Sequence, residues 1–230
     1  MWRRMWLVMV VSVVPCFVCV AAGDEPAKPP VADRWEPEIK AFEDQDRKSP
    51  PATEANVFVG SSSIRMWKLD ASFPKHVCLN RGFGGSQLGD SARYAERIVV
   101  AYKPRVVVLY AGDNDLSAGK SPETVFADYR AFRDKVCAAL PDTKIVFVSI
   151  KPSPSRWKLR DKALETNRLI RAEIEQGKGQ VYVDVWTPML GDDEMPRAEL
   201  FLKDQLHMNE TGYAIWNKLV EPHLATSSID

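Results

Sequence analysis

An excess of either sign of charge is missing from this chain: 31 Lys and Arg face 31 Asp and Glu across 230 residues. A nucleic-acid binder carries a clustered basic excess, so no nucleic-acid partner is expected. Cysteine is scarce at four, and Cys16 and Cys19 fall in an N-terminal apolar stretch. Cys78 and Cys137 fall on an expected strand and on the apolar face of an expected helix, as buried thiols rather than a disulfide. The fold must therefore rest on its core. Histidine is scarcer still, at three, so a site needing an imidazole has few candidates. A nucleotide fingerprint is also lacking. Gly82 and Gly84 match G-x-G, but Gln87 stands in the third glycine position, and no Lys with Ser or Thr completes a phosphate loop. No internal repeat is present.

What the chain does have begins with Arg3 and Arg4, an apolar run from Met5 to Val20, and the small residues Ala21, Ala22 and Gly23. This pattern predicts a cleaved secretory signal over 1–22, with an uncleaved anchor as the alternative. Its removal leaves 29 basic against 31 acidic residues. A secreted or periplasmic protein without stable membrane insertion is expected. The proline-rich and charged residues 23–35 read as a linker, and 36–230 as one domain.

Within that domain, β-branched runs at 56–60, 76–80, 105–112, 144–150 and 180–185 alternate with helical patterns. The third and fourth runs are almost continuously apolar, as in strands covered on both faces. Ser121 and Pro122 open a helix whose stripe is Val125, Tyr129, Phe132, Val136 and Leu140. Residues 160–176 read as another helix, and Asn209 caps a last one. The fold class is therefore α/β, a parallel sheet with helices on both sides. In such a sheet chemistry belongs at the carboxyl ends of the strands. The segments there are "GSSS", "NRGFGGSQ", "AGDND" and "KPSPSRW".

Each piece alone has two readings. Ser61, Ser62 and Ser63 supply either a nucleophile or a helix cap. Asp204, three residues before His207, either orients that imidazole as a base or caps a turn. His76 and His223 are weaker candidates, one at the amino end of a strand and the other near the C-terminus. The glycines of "NRGFGGSQ" offer backbone N–H groups to an oxyanion or merely make a tight turn. Asn114 aims an amide at the same oxyanion or bonds locally. Asp113 and Asp115 lack the further ligands of a metal site, so no metal is expected.

In this order the four pieces resemble the SGNH (GDSL) esterase/acylhydrolase superfamily, and within it the branch containing platelet-activating-factor acetylhydrolase-like proteins. The likeness covers residues 55–225. It implies a flavodoxin-like three-layer α/β/α sandwich with a five-stranded parallel sheet in the order 2-1-3-4-5. It also implies Ser62 as nucleophile, His207 as base, Asp204 as its orienting carboxylate, and Ser62, Gly85 and Asn114 as oxyanion donors. No cofactor is implied. Ser61 stands where the family usually has Asp. The expected activity is hydrolysis of small O-acyl esters, because the post-strand segments are mostly polar, basic or glycine-rich, and acetylated carbohydrates are the expected substrates from the export signal and the lack of a long apolar binding segment. The alternatives are an acyltransferase using the same residues, or a glycan-binding module with a decayed site that holds sugars through Trp157 or Trp186.

Overall fold

Alternation along the central strands decides the architecture. Val57 and Val59 of β1 (Asn56–Gly60), Val107 and Leu109 of β3 (Val106–Tyr110), and Ile145 and Phe147 of β4 (Lys144–Val148) enter one core. Phe58, Val106, Val108, Tyr110, Val146 and Val148 enter a second core on the opposite face. Side chains of a strand point alternately to its two faces, so two apolar cores require two covering layers. With β2 (Cys78–Gly82) and β5 (Gln180–Val183) at the edges, all pairs are parallel and the order is β2-β1-β3-β4-β5. The computed structural model describes residues 34–226 and, separately, Trp2; the expected export signal and the linker up to residue 33 otherwise lie outside the described residues.

One layer contains α4 (Leu88–Ile98), α6 (Pro122–Ala139) and α7 (Arg160–Gln176). Val125, Tyr129, Phe132 and Val136 of α6 are fully buried, as the sequence spacing predicts, and Ser121 Oγ caps the Thr124 N–H. The other layer contains the short α2 (Ser62–Arg65) and α3 (Leu69–Ser72) and the final α8 (Glu210–Val220). Asn209 Oδ1 caps α8 through the N–H groups of Thr211 and Gly212. A one-turn helix, α5 (Asp113–Ser117), follows β3.

Three details differ from the sequence reading. A 13-residue helix, α1 (Glu36–Lys48), precedes β1 where no element is expected. Trp35, assigned to the linker, is 6% exposed and packs edge-on against Phe83, so the folded body begins before residue 36. The second strand runs to Gly82 rather than ending at Asn80. Its polar residues are held in place by partners elsewhere: Asn80 Nδ2 donates to the carbonyls of Ile64 and Trp67, and buried Arg81 pairs with Asp46. Cys78 and Cys137 are free thiols, as expected, but each is half-buried rather than buried. Burial, helped by Asp70, pushes the Cys78 thiol up to about 12.

Candidate active site

In the order 2-1-3-4-5 the chain reverses its winding between β1 and β3, and their carboxyl ends flank a crevice. β1 ends at Gly60, whose φ is +139° and whose missing Cβ would lie 1.8 Å from the Tyr110 carbonyl oxygen. Only glycine fits there. The chain then turns from strand to helix, with the Ser61 N–H donating to that same carbonyl at 3.1 Å. Ser61 and Ser63 are buried, whereas Ser62 is only half-buried. Ser61 holds the N-cap position of α2, but its side chain makes no capping bond.

His207 reaches this point from the other end of the chain. The segment 202–207 is a tight loop: the Phe201–Met208 bridge closes its base, and the Leu202 N–H donates to the His207 carbonyl at 2.7 Å. Asp204 Oδ1 accepts the N–H groups of Leu206 (3.0 Å) and His207 (2.9 Å), while Oδ2 lies 2.6 Å from His207 Nδ1. A carboxylate can only accept, so Nδ1 carries the proton. Nε2 is then an acceptor, and it lies 2.9 Å from Ser62 Oγ. Burial alone would raise the Asp204 carboxyl, but the hydrogen bonds from His207 and the backbone bring it down to about 2. It is therefore ionised under any ordinary condition. Asp204 thus performs both roles that the sequence leaves open, capping its turn and binding the imidazole.

Gly85, at φ +80°, forms an exposed turn after β2, in a conformation that a side chain would strain. Two hydrogen bonds fix that turn: Ser86 Oγ donates to the Gly60 carbonyl at 3.3 Å, and Asn114 Nδ2 donates to the Ser86 carbonyl at 2.9 Å. Asp115, fully buried, accepts the Leu88 N–H at the start of α4 and pairs with Lys120 at 2.9 Å. Asp113 is engaged as well. It pairs with Lys151 at 2.9 Å and with Arg156 at 2.6 Å. Burial acts against its charge, but the two cations outweigh it and lower the carboxyl.

The structure thus brings Ser62, Gly85, Asn114, Asp204 and His207 to one end of the sheet. It leaves His76 and His223 elsewhere: His76 Nδ1 bonds the Ala225 carbonyl at 3.0 Å, and His223 follows α8. Trp186 is buried and stacks on Trp157 at 5.8 Å, so its ring is spent inside the protein rather than offered to a sugar. Sequence reasoning missed Lys151 and Arg156, and it undercounted apolar walls. A groove of about 430 Å³ between α2–α3 and α8 is lined by Met66, Trp67, Leu202, Met208 and Tyr213. All five of these residues lie outside the post-strand segments, so reading those segments alone could not expose the groove.

A hydroxyl, an imidazole and a carboxylate in hydrogen-bonded file, at the switch point of a three-layer α/β sandwich, mark the class: an ester hydrolase. Residues 59–215, more than half of the chain, match the GDSL-like lipase/acylhydrolase family, and the protein belongs to that family. No curated protein matches the chain. Solved structures share its fold at low identity. One from Streptococcus pneumonia, named for platelet activating factor, is 19% identical with a TM-score of 0.74, covering 82% of this chain and 92% of that one. A GDSL-like lipase from Bacteroides thetaiotaomicron is 20% identical with a TM-score of 0.69, covering 80% and 96%. A mutant of an acetyl-xylooligosaccharide esterase from Geobacillus Stearmophilus is 14% identical with a TM-score of 0.61, covering 78% and 98%.

Proposed function

We propose that the protein is an exported serine esterase that removes short O-acyl groups, acetyl foremost, from carbohydrates. The observation that carries the mechanism is the continuous file from Asp204 through His207 to Ser62. Ser62 Oγ attacks the acyl carbon as its proton passes to His207 Nε2. The carbonyl oxygen becomes an oxyanion held by the N–H groups of Ser62 and Gly85 and by Asn114 Nδ2. Collapse expels the alcohol, which takes the proton from His207 and leaves an acyl-Ser62 ester. Water then attacks that ester, giving up its proton to His207, and the second collapse returns the proton to Ser62 as the carboxylic acid departs. Asp204 holds the imidazole tautomer throughout.

The polar and glycine-rich segments at the crevice support a short acyl group. The acetyl-xylooligosaccharide esterase among the fold neighbours supports this reading. Export rests on the N-terminal residue pattern alone, and sequencing the mature N-terminus tests it. The groove beside Met66 and Leu202 favours a second reading, an esterase for longer acyl chains. Its rim is bonded to the site, since the Met66 N–H donates to the Ser62 carbonyl and the Leu202 N–H to that of His207. Assaying acetate release from acetylated xylan fragments, with and without free acceptor sugar, tests the proposal. Free acetate in both arms supports hydrolysis of carbohydrate esters. Transfer to the acceptor would reassign the protein as an acyltransferase, and no release from any acetylated glycan would overturn the substrate class.

A further inference from the structure

Asn114 is gripped from both ends. Its Nδ2 donates to the Ser86 carbonyl at 2.9 Å, and its Oδ1 accepts from Arg156 Nη2 at 3.0 Å. The same guanidinium donates through Nη1 to Asp113 Oδ1 at 2.6 Å, and Asp113 Oδ2 accepts from Lys151 Nζ at 2.9 Å. Lys151 also donates to the Tyr110 hydroxyl at 3.1 Å. The Lys151 side chain is 1% exposed and those of Asp113 and Arg156 are 10% and 20% exposed, so this is a largely buried cluster. Two cations face one carboxylate in it. The Ser62–His207–Asp204 file makes no use of any of them.

We propose that Arg156 is a positioning residue for ester hydrolysis: it locks and polarises the Asn114 carboxamide. This rests on the reading of Asn114 as an oxyanion donor. A carboxamide is nearly symmetric in shape, and flipped over it would present Oδ1 to the substrate and repel a developing oxyanion. Arginine has no acceptor and a carbonyl has no donor, so Arg156 can face only Oδ1 and the Ser86 carbonyl only Nδ2. The amide therefore has one orientation, with its second N–H free for substrate. A charged donor on Oδ1 draws electron density from the amide nitrogen and strengthens that N–H as a donor. Asp113 holds the guanidinium in register and offsets one of the two buried cations, since an unpaired buried charge is costly. Arg156 comes from the segment after β4, 42 residues beyond Asn114, and is tied to the histidine loop through the Ser155 N–H, which donates to the Gln205 carbonyl at 3.1 Å. The clamp thus joins the two halves of the site.

The test is a double-mutant cycle on p-nitrophenyl acetate with Arg156→Gln, Arg156→Lys and Asn114→Ala, each checked for folding by thermal melt. Losing one oxyanion donor costs about 100-fold or more in kcat, and Arg156→Gln is expected to lose about 10-fold in kcat with KM within about 2-fold. Arg156→Lys recovers part of the loss, because an ammonium can replace one of the two bonds but not both. In the Asn114→Ala background, Arg156→Gln is expected to cost less than about 3-fold further. A full additional loss in that background, or a raised KM with kcat preserved, overturns the clamp while leaving Asn114 as a donor. An unchanged kcat in Asn114→Ala itself overturns the Asn114 reading and the clamp together. If Arg156→Gln melts below assay temperature, the Arg156→Lys cycle carries the same comparison.

Discussion

Replacing Asp204 separates two roles that one carboxylate performs, because asparagine and alanine fail in opposite ways. Asparagine keeps an oxygen for the Leu206 and His207 N–H groups, so the loop stays closed. Its amide nitrogen, however, then faces His207 Nδ1 as a donor and forces the proton onto Nε2. That nitrogen lies 2.9 Å from Ser62 Oγ and can no longer accept the hydroxyl proton. In a buried triad the same change lowers kcat about 10⁴-fold. The Asp204 side chain is 47% exposed, so water competes with and screens the interaction. We therefore expect a loss of about 10² to 10³, or about 2.7 to 4 kcal/mol at 1.36 kcal/mol per decade. Alanine instead loses the loop's acceptors, about 0.5 to 1.5 kcal/mol for each bond, while water can accept the Nδ1 proton. Its kcat should fall only about 10- to 100-fold. Activity should thus rank wild type, Ala, Asn, whereas Tm should rank wild type, Asn, Ala. Steady-state kinetics and thermal melts on the three proteins decide it, and activity ranking in the same order as Tm would refute tautomer control.

Ser61→Ala and Ser63→Ala should each keep activity within about 10-fold of wild type in an ester assay, because both hydroxyls are buried and only Ser62 faces His207. The p-nitrophenyl ester series should give the highest kcat/KM at acetate or propionate and fall by octanoate; a steady rise of up to about 0.8 kcal/mol per methylene would show that the groove beside Met66 takes the acyl chain. For pH, the Asp204 carboxyl lies at about 2 in the folded chain against about 3.9 unfolded. Its stabilising contribution is complete above about pH 4 and is lost as pH falls toward 2. Thermal melts across pH should therefore show this contribution disappearing only below about pH 4. A contribution that is already lost well above about pH 4 in wild type, relative to Asp204→Asn, would contradict the lowered carboxyl.

The sheet was legible because β1, β3 and β4 are buried on both faces, which leaves continuous apolar runs that flank turn residues cannot hide. α1 was not, since Ile39 alone among its residues is buried. It is held instead by Arg97, which pairs with Glu36 at 2.8 Å and Glu43 at 2.6 Å across some 60 residues of chain. No local periodicity encodes such pairs. The same reason hid Lys151 and Arg156. Ser62, Gly85, Asn114, Asp204 and His207 could be named because each stands in a short block at a strand end or loop, and those blocks occur in a recognisable order. The clamp around Asn114 exists only when the ends of β3 and β4 are brought side by side, which the order of the blocks does not spell out.

The proposed attack of Ser62 on the acyl carbon is open to direct chemical labelling. Treating the protein with a fluorophosphonate and sequencing the modified peptide by fragment-ion mass spectrometry distinguishes the three adjacent serines. The prediction is a single adduct on Ser62, formed slowly or not at all in His207→Ala, with ester hydrolysis abolished in Ser62→Ala at an unchanged Tm. An adduct on Ser61 or Ser63, or full hydrolysis by Ser62→Ala, would contradict it.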